Sequence, residues 1–124
     1  AGSLNEQLSA IKLLQTADGL WRTILDDESS YEEVSASAGI AAAMVSRANP
    51  LHSKYINKSI RGMLANVGPD GRVRNVSGGT AVMNDADGYR NISRDWIQGW
   101  GQGLALAFFD KVLVSDELEK DGAL

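Results

Sequence analysis

Residues 17–39 read ADGLWRTILDDESSYEEVSASAG, and their order decides the fold. Gly19 follows Asp18 as a turn signal, Trp21 and Arg22 come next, and an acidic run leads into a segment of Ser, Ala and Gly. That segment continues through Ala43 to Met44 and Val45. Small side chains on every side let neighbouring elements approach closely, so the spacing predicts a buried helix at a tight crossing. Ser30 with Glu33 has capping-box spacing, as does Ser29 with Glu32, which predicts a helix start there and an end near Ala48.

Upstream, Leu4, Leu8, Ile11 and Leu14 recur at helical spacing behind the capping pair Ser3 and Glu6, predicting a first helix over residues 4–16. Residues 20–30 read as loop. Downstream, Asn49-Pro50 is a cap followed by a first-turn proline. It opens a third helix with an apolar stripe of Ile56, Ile60, Met63, Leu64 and Val67, ended by Gly68. The short connection makes the second and third helices a hairpin. Pro69-Asp70-Gly71 is a turn. Residues 72–98 are rich in turn formers, with Val73 and Val76 placed for a short ribbon; a loop of this length in a small domain points to function. A last helix is expected over residues 99–114, with Trp100, Leu104, Ala107, Phe108 and Val112 near one side and a fraying acidic tail beyond it.

The 124 residues suffice for one small domain. With 44% hydrophobic and 23% charged residues the chain has a globular composition, and its net charge of -4 with no basic run argues against nucleic acid. It lacks cysteine, so neither disulfide nor thiol chemistry is expected, and the redox compartment stays undecided between extracellular and cytoplasmic. No apolar run approaches the ~20 residues of a membrane span. Ala1-Gly2-Ser3 has neither the charged nor the apolar region of a signal peptide, so none is expected. Asn57, Asn75 and Asn91 stand in N-x-Ser patterns.

Several constellations invite a chemical reading. Asp26, Asp27 and Glu28 are adjacent carboxylates, the equipment of glycoside chemistry and equally a solvated loop. The indole of Trp21 suits a sugar face or a core plug, and the Arg22 guanidinium suits a carboxylate. Residues 84–88, Asn-Asp-Ala-Asp-Gly, begin like a calcium loop, but Arg94 stands where its closing Glu belongs, so no metal is expected. Gly99-Trp100-Gly101-Gln102-Gly103 lacks the spacing of a phosphate loop and reads as room for close backbone approach. The single histidine, His52, joins no motif and is expected at the surface.

With these pieces in order, the chain resembles glycoside hydrolase family 105, the unsaturated rhamnogalacturonyl hydrolases, related to the unsaturated glucuronyl hydrolases of family 88. The likeness is carried by DGLWRTILDDESSYEEVSASAGIAAAM, DGRVRNVSGGT and GWGQGLALAFFDKVL. Within them lie the Gly-Leu-Trp of residues 19–21, the Leu-Asp-Asp of residues 25–27, a Ser-Tyr-x-Glu-x-Ser-Ala-x-Ala helix start at residues 30–38, and Gly79-Thr80. The resemblance implies an all-α fold whose helical hairpins form the C-terminal sector of an (α/α)6 toroid, with one long loop. Residues 1–124 would be a single partial toroid domain.

The implied chemistry is hydration of the terminal 4,5-unsaturated uronic acid of pectin (rhamnogalacturonan) oligosaccharides, without metal or organic cofactor. An Asp protonates the double bond and helps water attack the neighbouring carbon. That Asp belongs to a part of the family pattern preceding this chain, so no catalytic residue is expected here. Trp21, Arg22, Glu33 and Ser35 would bind substrate at the cleft end of the small-residue helix, with Thr80, Trp96 and Trp100 joining from the other segments. Trp21 would stack on sugar, Arg22 would meet the uronate carboxylate, and Glu33 and Ser35 would bond hydroxyls. The expected partners are that oligosaccharide and either the missing N-terminal part of the fold or further copies of this chain, with neither nucleic acid nor membrane. Two other classes stand beside this reading: a non-catalytic carbohydrate-binding module or secreted effector derived from such an enzyme, and a scaffold protein.

Overall fold

The computed structural model describes residues 2–120. Among them the chain is all-α, in five helices: α1 (Gly2–Ile11), α2 (Val34–Arg47), α3 (Ser53–Ala65), α4 (Ala86–Arg90) and α5 (Gly99–Lys120). Single 3-10 turns follow α1 (Lys12–Leu14) and precede α3 (Pro50–His52). Pairing of β type among the described residues is confined to two isolated antiparallel bridges, Arg22 to Glu32 and Val67 to Val73. The second of these is what the expected ribbon amounts to.

The centre of the fold is α2. Ser35, Ser37, Ala38, Ala41, Ala42 and Met44 are buried between α5 on one side and α3 on the other. Short side chains let Phe108 of α5 do the filling, buried with Ala105, while Val112 is partly so. The inward stripe of α5 thus runs Gly101, Ala105, Phe108 and the partly buried Val112, while Trp100, Leu104 and Ala107 of the expected stripe are exposed. Gly101 is required where it lies, because a Cβ there would meet Val76 at 2.6 Å. The close approach expected of this glycine segment occurs at that residue and presses the long loop onto α5.

Capping differs from the sequence expectation by a few residues. The N-cap of α2 is Glu33, whose carboxylate accepts from Ala36 N–H at 2.6 Å. Ser30 instead sits buried in the preceding loop, its hydroxyl tied to Ile24 and Asp27 carbonyls. Asn49 caps as expected, accepting from Leu51 N–H at 3.0 Å. Ser3 lies inside α1 rather than ahead of it, and α5 runs on through Lys120 where an end at residue 114 was expected. The last four residues of the expected fraying tail lie outside the described residues. Helix α4 was not foreseen. Its N-cap Asp85 accepts from Gly88 N–H, a capping use of the segment that begins like a calcium loop.

His52 is a correction. It is 2% exposed, not at the surface, because the Pro50–His52 turn folds its side chain inward. Its Nδ1 makes no hydrogen bond among the described residues. Burial first, and the nearby Lys12 charge second, push its pKa below the ordinary value. The unfolded chain therefore binds a proton that the fold resists. Stability from this residue is full above the unfolded pKa of about 6.5 and declines as pH falls from there toward the lower folded value. Urea midpoints measured between pH 8 and pH 5 are expected to fall across the lower part of that range, and His52→Leu is expected to flatten the fall.

Candidate functional site

The loop from Gly19 to Glu33 is held as a broad hairpin over the N-terminal end of α2. Gly19 has a φ of +86°, and a Cβ there would lie 2.1 Å from the Lys58 carbonyl oxygen, so glycine is needed to bring the loop onto α3. Across the hairpin, Thr23 N–H donates to Tyr31 carbonyl at 2.9 Å, and Glu33 N–H donates to Trp21 carbonyl at 2.9 Å. This pairing sets Arg22 opposite Glu32.

Between this hairpin and the C-terminal end of α3 lies a cleft of about 730 Å³. Its polar walls are Asp18, Arg22, Tyr31, Glu32, Arg61, Asn66, Asn75 and Arg94, over a floor that includes Leu20, Gly62 and Val34. Three guanidinium groups outnumber two carboxyls, in a chain whose net charge is negative. Arg22 Nη1 donates to Ser30 carbonyl at 2.8 Å, which aims its head along the hairpin and leaves its other donors free of that bond. The Arg94 guanidinium lies 4.1 Å from the centre of the Tyr31 ring, and Tyr31 Oη shares a 2.6 Å hydrogen bond with Ser77 Oγ. Glu32 accepts from Thr16 Oγ1. Burial first, then the adjoining Asp18 carboxyl, hold its pKa above the ordinary value, against the opposing pull of Thr16 and Arg22.

The structure sorts the residues singled out from the sequence. Arg22 lines the cleft. Trp21 does not: it is 0% exposed, its indole Nε1 donates to Ile11 carbonyl at 2.8 Å, and its backbone N–H donates to Ser37 Oγ at 2.8 Å. The expectation that Trp21 stacks on sugar is therefore corrected, since both faces of the indole are packed in the core. Of the two uses open to it, Trp21 is the core plug.

Glu33 and Ser35 are buried too, at 5% and 9% exposure. Glu33 takes Ala36 N–H, the Ser35 hydroxyl (2.9 Å to each carboxylate oxygen) and Ser77 N–H (2.9 Å). These contacts engage both carboxylate oxygens of Glu33 and the hydroxyl proton of Ser35 within the protein. Thr80, Trp96 and Trp100 are exposed, on the long loop and the first turn of α5, and none of them lines the cleft. Asp27 is tied to Ser29 and Arg90, and Asp26 is exposed.

Sequence reasoning missed Asp18, Tyr31, Glu32, Arg61, Asn66, Asn75 and Arg94 as one group. They come from four separate stretches and meet only through the packing of α3 and the long loop on the hairpin. The one local signal was the Arg22–Glu32 separation across an acidic turn, which suits opposite charges on paired strands. No group of three or more His, Asp or Glu suited to a metal ion occurs among the described residues. No helix there is long and apolar enough to cross a membrane.

Comparison with known proteins gives a consistent result. The family model described as Glycosyl Hydrolase Family 88 matches residues 1–115. The chain is 57% identical over 112 residues to an unsaturated rhamnogalacturonyl hydrolase, YesR, of Bacillus subtilis (strain 168), a match covering 90% of this chain and 32% of that protein. A crystal structure titled as a possible member of the GH105 family, from Salmonella enterica subsp. enterica serovar Paratyphi A str. ATCC 9150, superposes with a TM-score of 0.84 at 33% identity. The match covers 90% of this chain and 30% of that one. Another so titled, from Klebsiella pneumoniae subsp. pneumoniae MGH 78578, superposes with a TM-score of 0.82 at 33% identity, covering 88% of this chain and 30% of that one. The chain thus spans about a third of the length of the relatives it matches. Its helices keep the arrangement they have within those larger folds, as expected of one sector of an all-α toroid.

Proposed function

Because this chain belongs to glycosyl hydrolase family 88, we propose that it is one sector of an enzyme that hydrates the terminal 4,5-unsaturated uronic acid of pectin-derived oligosaccharides. The observation that carries this reading is the arginine-rich cleft at the N-terminal end of α2. A uronate offers a planar carboxylate and several hydroxyls. Arg22 forks onto the carboxylate, and Asn66 and Asn75, joined by a bond from Asn75 Nδ2 to Asn66 Oδ1 at 2.8 Å and tied to the Gly62 carbonyl through Asn66 Nδ2, offer their remaining amide N–H groups to hydroxyls. Trp96 and Trp100, exposed at 74% and 49%, offer indole faces to sugar residues beyond the terminal one, with the Thr80 hydroxyl on the same long loop. Glu33 and Ser35 serve the site by fixing its floor.

The rest of the ring is the proposed partner. Leu106 and Leu113 share one face of α5 and are 72% and 63% exposed. Such a row on a helix already packed on its other side suits a neighbouring hairpin of the same fold. Residues 1–124 then form one domain only together with that remainder.

The test supplies the missing two thirds of the fold as a separate chain and follows loss of absorbance from the double bond of an unsaturated uronyl-rhamnose disaccharide. Turnover is expected with both parts and not with this chain alone. Arg22→Ala is expected to lower disaccharide affinity about 10- to 100-fold, the loss of a charge-assisted pair of about 1.5–3 kcal/mol. Binding without turnover in the reassembled protein would favour the non-catalytic sugar-binding reading. Unchanged affinity in Arg22→Ala would sink the assignment of this cleft.

A further inference from the structure

We propose that Arg90 is a positioning residue: it fastens the segment after α4 across the cleft and so sets Arg94 and Tyr31 for an acidic sugar. The inference rests on the cleft reading above and adds a residue that does not touch the ligand. Arg90 closes α4 and reaches back to the Gly19–Glu33 hairpin, 63 residues away in sequence. Its Nε donates to Asp27 Oδ2 at 2.7 Å, its Nη2 lies 2.6 Å from the same oxygen, and its Nη1 donates to Asp87 Oδ1 at 2.6 Å.

Asp27 is a rigid anchor, because its other oxygen, Oδ1, is held by the Ser29 N–H at 2.9 Å and the Ser29 hydroxyl at 2.6 Å. The Arg90 and Asp27 side chains are 32% and 19% exposed, so this pair is shielded from water far better than the ordinary surface ion pair. Both oxygens of the anchor and three nitrogens of the guanidinium are thus committed to one geometry.

The four residues beyond Arg90 deliver Arg94 to the cleft. Within them Asn91 bonds locally to the Asp87 carbonyl, through its N–H at 3.2 Å and its Nδ2 at 2.7 Å, and Gly78 N–H reaches the Ser93 carbonyl at 2.8 Å from a distant part of the chain. Arg94 itself rests on the Tyr31 ring by a cation–π contact and is otherwise exposed, which fixes a side chain weakly. Arg90 is therefore the strongest side-chain tether between this segment and the hairpin. Losing it frees the backbone that carries Arg94 while leaving Arg22 on its own hairpin, bonded to Ser30 as before.

That asymmetry provides the test. Arg90→Gln, Arg90→Lys and Asp27→Asn are made in this chain reassembled with the rest of the ring, the latter inactivated at its proton-donating Asp, and titrated with the unsaturated uronyl-rhamnose disaccharide, following the guanidinium NMR signals of Arg22 and Arg94 and the hydrogen exchange of residues 91–94. In the wild type both arginine signals are expected to respond. In Arg90→Gln and Asp27→Asn the Arg22 response persists, the Arg94 response is lost, exchange at residues 91–94 quickens at least tenfold, and affinity falls about fivefold. Arg90→Lys, which keeps the charge without the fork, is expected to fall between them and the wild type. Wild-type exchange, affinity and Arg94 response in both Arg90→Gln and Asp27→Asn would overturn the positioning role and leave the cleft reading intact. Absence of any Arg22 response in the wild type would overturn the cleft reading, and this inference with it.

Discussion

Trp21→Ala is expected to destabilise the fold by about 3–5 kcal/mol, the usual cost of emptying a large aromatic site in a packed core. The indole is fully buried, and its removal also strips the Ile11 carbonyl of its Nε1 partner, which adds about 1 kcal/mol. For a domain with a total stability of about 5–15 kcal/mol this is a large share. Trp21→Phe keeps most of the apolar contact, loses the hydrogen bond, and is expected to cost roughly half as much. Urea midpoints of the two variants measure the ordering. The same pair separates the core role from a sugar-stacking one. A phenyl ring still stacks on sugar, so a stacking residue would keep most of its affinity in Trp21→Phe and lose it in Trp21→Ala, with little change in midpoint in either. Equal midpoints for Trp21→Ala and the wild type would show that the indole does not hold the core.

The place of Trp21 marks where the sequence stops being informative. The helices are legible because their signals are local. The small-residue run names α2, Asn49-Pro50 starts the turn before α3, and the glycines ahead of Leu104 mark the close approach of α5. What the local pattern does not carry is the inside and outside of loops. Trp21 and Ser30 stand among polar neighbours and read as loop residues, yet the bridge between Arg22 and Glu32 turns both inward. His52 is buried by a turn whose direction depends on how α3 meets the rest of the chain. Helix α4 spans five residues with a glycine among them, too short for periodicity to reveal. The cleft is the extreme case, since its charges lie on three separate stretches, the hairpin, α3 and the segment at Arg94, and meet only through packing. Of the seven residues that the family resemblance singles out, Arg22 lies at the cleft wall.

Glu33→Ala is expected to cost about 2–4 kcal/mol and to disturb the site more widely than its position suggests. Three separate losses combine. The N-cap of α2 disappears, worth about 0.5–2 kcal/mol. A carboxylate favoured by the positive end of the helix dipole goes with it. The Ser77 N–H and the Ser35 hydroxyl are left in a largely dry environment without their acceptor, at about 1–3 kcal/mol for such a group. The Ser77 bond matters most for function. Ser77 also holds the Tyr31 hydroxyl, and Tyr31 carries Arg94, so the Glu33 carboxylate is the first link of a chain running from the helix cap to the cleft wall. Glu33→Gln retains one acceptor oxygen but turns a donor toward the backbone N–H groups, so it is expected to recover only part of the stability. Thermal midpoints with hydrogen exchange at Ala36 and Ser77 resolve the two effects. A side chain that only capped the helix would speed exchange at Ala36 alone. One that joins cap and cleft must speed Ser77 as well, and an unchanged Ser77 amide in Glu33→Ala would break the link between them.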